Sequence, residues 1–190
     1  MVLSSPIISN PIGGVGVYPR NNEWCTTGSP QSTGSSYSGT FIVPFFLPID
    51  LYISDLGLYP TAGGGTDAMV GIYEYDYING SVINKLKGTR LVNLVSVFRS
   101  AALGLNLPAG WYHFVVMLQA ATTLRDCLDQ YCARLSFGSG SPPQTFPLNF
   151  FTSSLGFSDP MPESIDMSLV TEKYTQRYPA VFWKGNLYGG

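Results

Sequence analysis

The chain has 190 residues, 45% of them hydrophobic, which is enough to build one sizeable core. Only 12% are charged, and the ten Lys and Arg residues are scattered, with a net charge of −2. This excludes the basic patch that nucleic-acid binding needs. A charged fraction far below the roughly 25% of an average domain, with 14% aromatics, favours a surface partly covered by neighbouring subunits. The alternative is a monomer with a surface rich in Ser, Thr, Asn and Tyr.

The opening residues, MVLSSPIISNP, have neither a basic region nor a sustained apolar stretch, so we expect no signal peptide. The longest apolar run, 111–118, falls far short of the roughly 20 residues that a membrane-spanning helix needs. We therefore expect no membrane insertion. Three cysteines, an odd number, favour reduced thiols over a disulfide framework. Cys127 and Cys132 can form a bridge only if their segment is a loop.

In chain order, residues 1–39 are expected to form an extended N-terminal arm, because the polar stretch TTGSPQSTGSSYSG cannot bury enough apolar surface to fold alone. Residues 40–190 form the predicted domain. Gly- and Pro-containing turns at 63–65, 79–80 and 108–110 separate its strands. The predicted strands are 41–46, 51–59, 68–77, 82–86, 91–98, 102–107, 111–119, 133–137 and 180–184.

Three of these segments carry further information. In 102–107, Leu103, Leu105 and Leu107 should face inward while Ala102, Gly104 and Asn106 face outward. Segment 111–119 is apolar on both faces, as expected of a central strand that is covered on both sides. The stretch TTLRDCLDQYC, from Thr122, is the one helix candidate, with a Thr cap and a Leu124–Leu128 pair. The proline-rich segment 138–179 is expected to contact a partner.

Short strands about ten residues apart, with at most one short helix, predict an all-β fold. The expected architecture is an antiparallel β-sandwich of jelly-roll type.

The residues that catalysis or metal binding would need are few. The single histidine, His113, lies in the middle of a predicted strand, a position more typical of a partly buried residue with satisfied hydrogen bonds than of a general base. The sequence has no nucleophile elbow and no phosphate-binding loop, and one His with three dispersed Cys does not make a zinc site. We therefore predict no enzyme, no cofactor and no metal ligands.

Carboxylates leave two minor alternatives open, a small hydrolase and a structural cation site. Glu74 and Asp76 share one face of a predicted strand. Asp50, Asp55 and Asp67 fall near predicted hairpin ends, where acidic side chains usually face water.

Three tyrosines are the candidate binding residues. Tyr73, Tyr75 and Tyr77 alternate along one predicted strand and therefore share a face. Such a stripe can stack on sugar rings, and it can also pack into a subunit interface. Interface packing is the favoured interpretation.

Two blocks of the sequence stand out, FFLPIDLYISDLGLYPTAGGGTDAMVGIYEYD and LNLPAGWYHFVVMLQ, together with the closing YPAVFWK. Through them most of the chain from Phe41 onward resembles a family of bacteriophage virion appendage domains, found in tail fibres and in head or tail decorations, and YPAVFWK is similar to the family's last strand. In the family, a Gly-rich hairpin precedes a G-I-Y strand, and L-P-A-G-W-Y leads into a central apolar strand. TTLRDCLDQYC departs from the pattern.

The resemblance implies a non-enzymatic structural component of a virion: a tail fibre, a spike or a head-decoration subunit. It implies a homo-oligomer, with a trimer favoured, made in the host cytoplasm and contacting other virion proteins. A host surface glycan is a further partner, through which the chain would contribute to attachment. The alternative function is a carbohydrate-binding module that uses surface aromatics, the tyrosines or Trp111.

Overall fold

The computed structural model describes residues 8–9, 15–16, 24–26, 30–47, 49–62, 64–75, 82–128, 150–152, 155–167, 170 and 177–187. Within these ranges the chain is nearly all strand and contains no α-helix. The strands are β1 (Ile8–Ser9), β2 (Val15–Gly16), β3 (Trp24–Thr26), β4 (Pro30–Leu47), β5 (Leu51–Leu58), β6 (Pro60–Ala62), β7 (Thr66–Tyr75), β8 (Val82–Leu94), β9 (Arg99–Leu107), β10 (Gly110–Leu128), β11 (Phe150–Thr152), β12 (Ser164–Asp166), β13 (Arg177–Pro179) and β14 (Phe182–Leu187).

Two antiparallel sheets make up the domain. Sheet I has the order β11-β4-β10-β7-β8-β12, and β6 and β13 also pair with β10. Sheet II has the order β3-β14-β5-β9, and β1 pairs with β2 as a separate ribbon. The chain alternates between the sheets, passing from β4 in sheet I to β5 in sheet II and later from β9 back to β10. The predicted all-β antiparallel sandwich is confirmed, and the jelly-roll order stays a prediction.

The central strand β10 is buried on both faces, as its apolar sequence predicts. Tyr112, Phe114 and Val116 belong to the main core between the two sheets, whereas Val115 and Met117 belong to a second cluster on the far side of sheet I. Because neighbouring side chains of a strand point to opposite faces, one strand supplies both cores. The inward Leu103 and Leu107 of sheet II and the outward Ala102 and Asn106 also match the prediction.

A segment that we call the strap, residues 155–167, covers the outer face of sheet I. It follows β11, which pairs with β4 at one edge of the sheet, and it ends in β12, which pairs with β8 at the other edge. Met161 and Ile165 of the strap are buried in the second cluster, which we call the outer core. Partner contacts of the segment 138–179 stay a prediction, but its residues 155–167 pack on the chain's own sheet. The reason is that β10 needs apolar cover on its second face.

Met161 fits a notch that two glycines create. Gly71 of β7 and Gly88 of β8 are register partners, so both leave the same spot of the sheet without a side chain. A Cβ at Gly71 would lie 2.8 Å from the Met161 sulfur, and one at Gly88 would lie 2.7 Å from it. Real Cβ atoms do not come this close, so the thioether occupies the space that side chains would take. Met161 is 2% exposed.

Polar contacts hold the strap along its length. The Tyr73 hydroxyl donates to the Pro162 carbonyl at 2.7 Å, and Lys85 Nζ donates to the Met161 carbonyl at 3.0 Å. Lys85 also pairs with Glu163, and the Thr40 hydroxyl donates to the carbonyl of Leu155 at 2.6 Å. The strap is therefore bound at both ends and in the middle.

The predicted helix from Thr122 is wrong, because Thr122–Leu128 continues β10. Thr122, Leu124 and Asp126 alternate and are all buried, which is strand periodicity. The spacing of Leu124 and Leu128, four residues apart, fits a strand face as well as a helix face. Asp126 made the strand alternation hard to recognise in the sequence, because an aspartate is normally expected at an exposed position.

The predicted arm also ends earlier than residue 39, because 30–39 form the first half of β4 and pair with the second half of β10. Tyr37 is 7% exposed in this Ser-rich stretch. The predicted strands 82–86 and 91–98 merge into β8 up to Leu94. The predicted strand 133–137, Cys132 and the Asn79-Gly80 turn lie outside the described residues, although β7 and β8 pair as neighbouring antiparallel strands on either side of that turn.

Candidate functional site

Of the three candidate tyrosines, Tyr73 is the one whose side chain the structure describes. Tyr73 is fully buried in the outer core, where its hydroxyl donates to Pro162 of the strap. Burial raises the pKa of this hydroxyl, so it stays a proton donor. The ring is not available to stack on a ligand, and Tyr73 serves to hold the strap. The side chain of Tyr75 and the whole of Tyr77 lie outside the described residues, so their binding role stays a prediction.

His113 is partly buried on the outer face of sheet I, as the sequence predicts. The expected hydrogen bond is missing at Nδ1, which is buried and has no partner among the residues that the structure describes. Burial lowers the pKa of the imidazole to about 4, so the side chain is neutral at pH 7. No described carboxylate orients this ring, as an acid of a catalytic triad would.

Three of the candidate carboxylates stabilise local structure. Asp50 Oδ1 accepts a hydrogen bond from the Ala109 amide at 2.8 Å, and Asp55 Oδ2 accepts one from Ser54 Oγ at 2.7 Å. Asp67 accepts from the Asn93 amide at 2.9 Å and pairs with Arg90. These bonds, the backbone one first, lower the pKa of Asp67.

The two remaining candidate ligands of a cation are Glu74 and Asp76. Glu74 is exposed on β7, and Asp76 lies outside the described residues. In the described part of the chain, no three His, Cys, Asp or Glu side chains come together as metal ligands.

The sequence missed a buried carboxylate, Asp126. It is 0% exposed, and its Oδ2 atom accepts from Ser35 Oγ at 2.5 Å and from the Tyr37 hydroxyl at 3.2 Å. Arg177 of β13 lies 3.5 Å from the same oxygen. Burial and the nearby Asp126 charge raise the pKa of Tyr37. Asp126 thus ties β4, β10 and β13 together, which is a structural role.

In the described residues, the outer face of sheet II is covered at Gly57, where Phe98 lies over it, and is otherwise largely open, so it is the candidate functional surface. Cross-strand register defines its rows, because register partners share a face. Tyr52 of β5 stands between Asn106 of β9 and Asn186 of β14. In the next row Asp55 stands between Ala102 and Lys184.

The Tyr52 side chain extends along the sheet toward β9. A Cβ at Gly104 would lie 3.4 Å from the Tyr52 hydroxyl oxygen, so the phenol reaches over a position that has no side chain. Gly104 has φ of +67°, a conformation that L side chains rarely adopt. Lys87 Nζ donates to the Gly104 carbonyl at 2.9 Å and covers this part of the β9 edge. Tyr52 is 37% exposed.

We call this arrangement the Tyr52 platform. Its residues are Tyr52, Ala102, Gly104, Asn106 and Asn186.

Exposed apolar residues lie at the end of β8 (Val92), in the β8–β9 connection (Val97) and on β3 (Trp24), whose ring contacts the half-buried Phe98 of that connection. We call these four residues the apolar patch. Trp24, Val92 and Val97 are 38%, 58% and 48% exposed, and they are three of the five exposed large hydrophobic residues in the described ranges. The Trp24 ring meets the Phe98 ring edge-on, with centroids 4.7 Å apart.

The exposure of Trp24 and Tyr52 had no clear signal in the sequence, because an aromatic residue in a strand fits a buried face as well as an exposed one. Trp111, the aromatic that the sequence suggested for sugar binding, is partly buried on β10.

No known protein-family model matches the chain, and no curated protein matches it. The resemblance to phage appendage domains therefore stays a prediction. Over the residues that the structure describes, no helix has the length and apolarity to span a membrane.

Proposed function

We propose that this chain is a non-enzymatic structural subunit of a bacteriophage virion: a tail fibre, spike or head-decoration protein. In this proposal it assembles with further copies of itself, a trimer being favoured, and with other virion proteins. The L-P-A-G-W-Y block supports it, since Gly110 and Trp111 begin the central strand β10. The low charge of the chain supports it as well.

The apolar patch is the observation that carries the assembly part of the proposal. Concentrated exposed apolar groups mark interaction sites on soluble domains, because burying them in an interface removes apolar area from water. The outer face of sheet I already has its cover in the strap. A second copy is the occupant we favour, because most soluble oligomers are homo-oligomers with closed symmetry.

Light scattering after size-exclusion chromatography at micromolar concentration tests the assembly. Three copies of the 20.6 kDa chain give a mass of about 62 kDa. Val97→Asp places a charge in the apolar patch and should shift the protein to the monomer mass. Leu86→Asp is the matched control, because Leu86 is also an exposed apolar residue but lies on β8, away from the β8–β9 connection. A wild-type protein that stays monomeric at every concentration contradicts the proposal.

The virion part has its own test. An antibody against the recombinant chain should label particles purified from a lysate of the host that carries the gene, as seen by electron microscopy. Particles that stay unlabelled, while the chain is detected in the soluble fraction, would exclude a virion subunit.

A carbohydrate-binding module is the second candidate function. The exposed Tyr52 between two asparagines favours it, because an aromatic ring next to amides offers both stacking and hydrogen bonds. A glycan array probed with the labelled chain tests this function independently of the oligomer mass. Wild-type protein that binds no glycan on the array would remove it.

A further inference from the structure

We propose that the Tyr52 platform on the outer face of sheet II binds a neutral saccharide. This inference rests on the second candidate function and names its site and its ligand class. It does not depend on the oligomeric state of the chain.

The chemistry of the platform fits a sugar ring. One face of a sugar carries C–H groups that pack on an aromatic ring, and its edge carries hydroxyls that need donors and acceptors. Tyr52 supplies the ring, and Asn106 and Asn186 flank it in register on either side. An amide side chain both donates and accepts, so it matches a hydroxyl without requiring a charge.

The small residues of β9 leave room for the ligand. Ala102 is exposed, and Gly104 has no side chain beneath the Tyr52 hydroxyl. Ala102 and Gly104 therefore leave a shallow surface beside the Tyr52 ring, and the tyrosine side chain has only two rotatable bonds. A surface set up in this way loses little conformational entropy on binding.

The charges around the platform favour a neutral ligand. Lys184 and Asp55 are register partners, so their opposite charges sit side by side and offset each other. The ammonium of Lys87 donates to the Gly104 carbonyl. Lys184 and Asp55 together add no net charge to the platform, so this pair favours a neutral sugar over an anionic one.

The size of the platform argues against a protein partner. Strands β14, β5 and β9, spaced about 4.8 Å apart, and the run from Tyr52 to Asp55, at about 3.3 Å per residue, enclose roughly 95 Å². A stable protein interface needs about 800 Å² from each partner. The platform is large enough for a short saccharide and too small for such an interface.

Isothermal titration calorimetry with defined oligosaccharides tests the proposal. The neutral probes are maltohexaose, cellohexaose, chitohexaose and mannohexaose, and the anionic probes are sialyllactose and a hyaluronan hexasaccharide. We expect at least one neutral probe to bind and both anionic probes to bind more weakly. Wild-type protein that binds none of the neutral probes overturns the proposal and also counts against the carbohydrate-binding function.

Four variants then locate the site with whichever neutral probe binds. Tyr52→Ala should weaken binding at least about tenfold, while Tyr52→Phe, which keeps the ring, stays within about threefold of wild type. Asn106→Ala should weaken binding about fivefold through lost hydrogen bonds. Leu86→Ala, an exposed apolar change on sheet I, should leave affinity unchanged.

Two results overturn the site while leaving a carbohydrate-binding function in place. One is a Tyr52→Ala variant that keeps wild-type affinity, and the other is tighter binding of an anionic probe than of any neutral one. Circular dichroism of Tyr52→Ala confirms that weaker binding does not come from unfolding, and Asn106→Ala provides a second, independent change at the same site.

Discussion

The two sheets have opposite outer faces. On sheet I, outward side chains such as Val115 and Met117 are apolar and fully buried, and the strap covers them. On sheet II, the outward positions carry Ala102, Asn106 and Tyr52, which are exposed. A strand that is apolar on both faces needs a third layer, whereas a strand that alternates can leave one face in water. The chain supplies that third layer from its own proline-containing segment and leaves the part of the sheet II face around Tyr52 open.

Deleting the strap's main anchor should have the largest effect. Met161→Ala removes the thioether above Gly71 and Gly88 and should lower the free energy of unfolding by about 2–5 kcal/mol, as for other buried methionines. Urea denaturation measures this change. Leu86→Ala, on an exposed position, is the control and should change stability by about 0.5 kcal/mol or less. Equal stability of the two variants would show that the strap does not seal the face.

A double-mutant cycle sharpens the same comparison. Gly88→Ala alone should destabilise the protein, because its Cβ would lie 2.7 Å from the Met161 sulfur. In the Met161→Ala background that clash is gone, so the cost of Gly88→Ala should fall. We expect a coupling free energy of about 0.5–3 kcal/mol. Strictly additive effects would mean that the notch and the methionine do not interact.

The pH dependence of stability comes next in size. His113 has a folded-state pKa of about 4, below its ordinary value of 6.5, so between these values the unfolded chain binds a proton that the folded chain does not. The free energy of unfolding should therefore fall by roughly 2–3 kcal/mol as the pH drops from about 7.5 to about 4.5.

His113→Gln is the control for this window and should flatten the slope between pH 6.5 and 4.5. The Asp67 carboxyl does not contribute to this slope, because its pKa is lowered from 3.8 and the stability that it provides is lost only in more acidic solution. If His113→Gln keeps the wild-type slope of stability against pH, other titrating groups cause that slope.

The smallest effects on stability are expected when one tyrosine hydroxyl is removed from each outer face, at Tyr73 on sheet I and at Tyr52 on sheet II. Tyr73→Phe loses the bond to the Pro162 carbonyl and should cost about 1 kcal/mol. Tyr52→Phe changes an exposed side chain on sheet II and should alter stability by no more than about 0.5 kcal/mol. Thermal unfolding of the two variants side by side measures the difference, and the comparison of the faces would be in doubt if Tyr52→Phe cost more.

The pattern of buried and exposed residues within individual strands was predictable from the sequence. Leu103 and Leu107 alternate with small or polar neighbours, and residues 111–119 are apolar throughout, so burial on one face and on both faces followed directly. Local alternation encodes this information, and it does not depend on the partner strand.

The contacts between distant segments were not predictable. Asp126 is tolerated in the core because Ser35 and Tyr37, 91 and 89 residues away, donate to it. The sequence does not show that Ser35 and Tyr37 are its partners, so Asp126 was interpreted as an exposed residue of a helix. Likewise, nothing in the sequence pairs Met161 with Gly71 and Gly88. The burial of Tyr73 was likewise not visible in the sequence, because its hydroxyl donates to Pro162 of the strap, 89 residues away.

Hydroxyl-radical footprinting read by mass spectrometry tests the contrast between the two faces most directly. Methionine is among the most readily oxidised side chains, and Met69, Met117 and Met161 all lie in the outer core beneath or within the strap. In the folded protein these three methionines should resist oxidation while Tyr52 is modified, and urea should remove the difference. Rapid oxidation of Met69 and Met117 in the folded protein, with Tyr52 protected, would show that sheet II carries the covered face and would contradict this account.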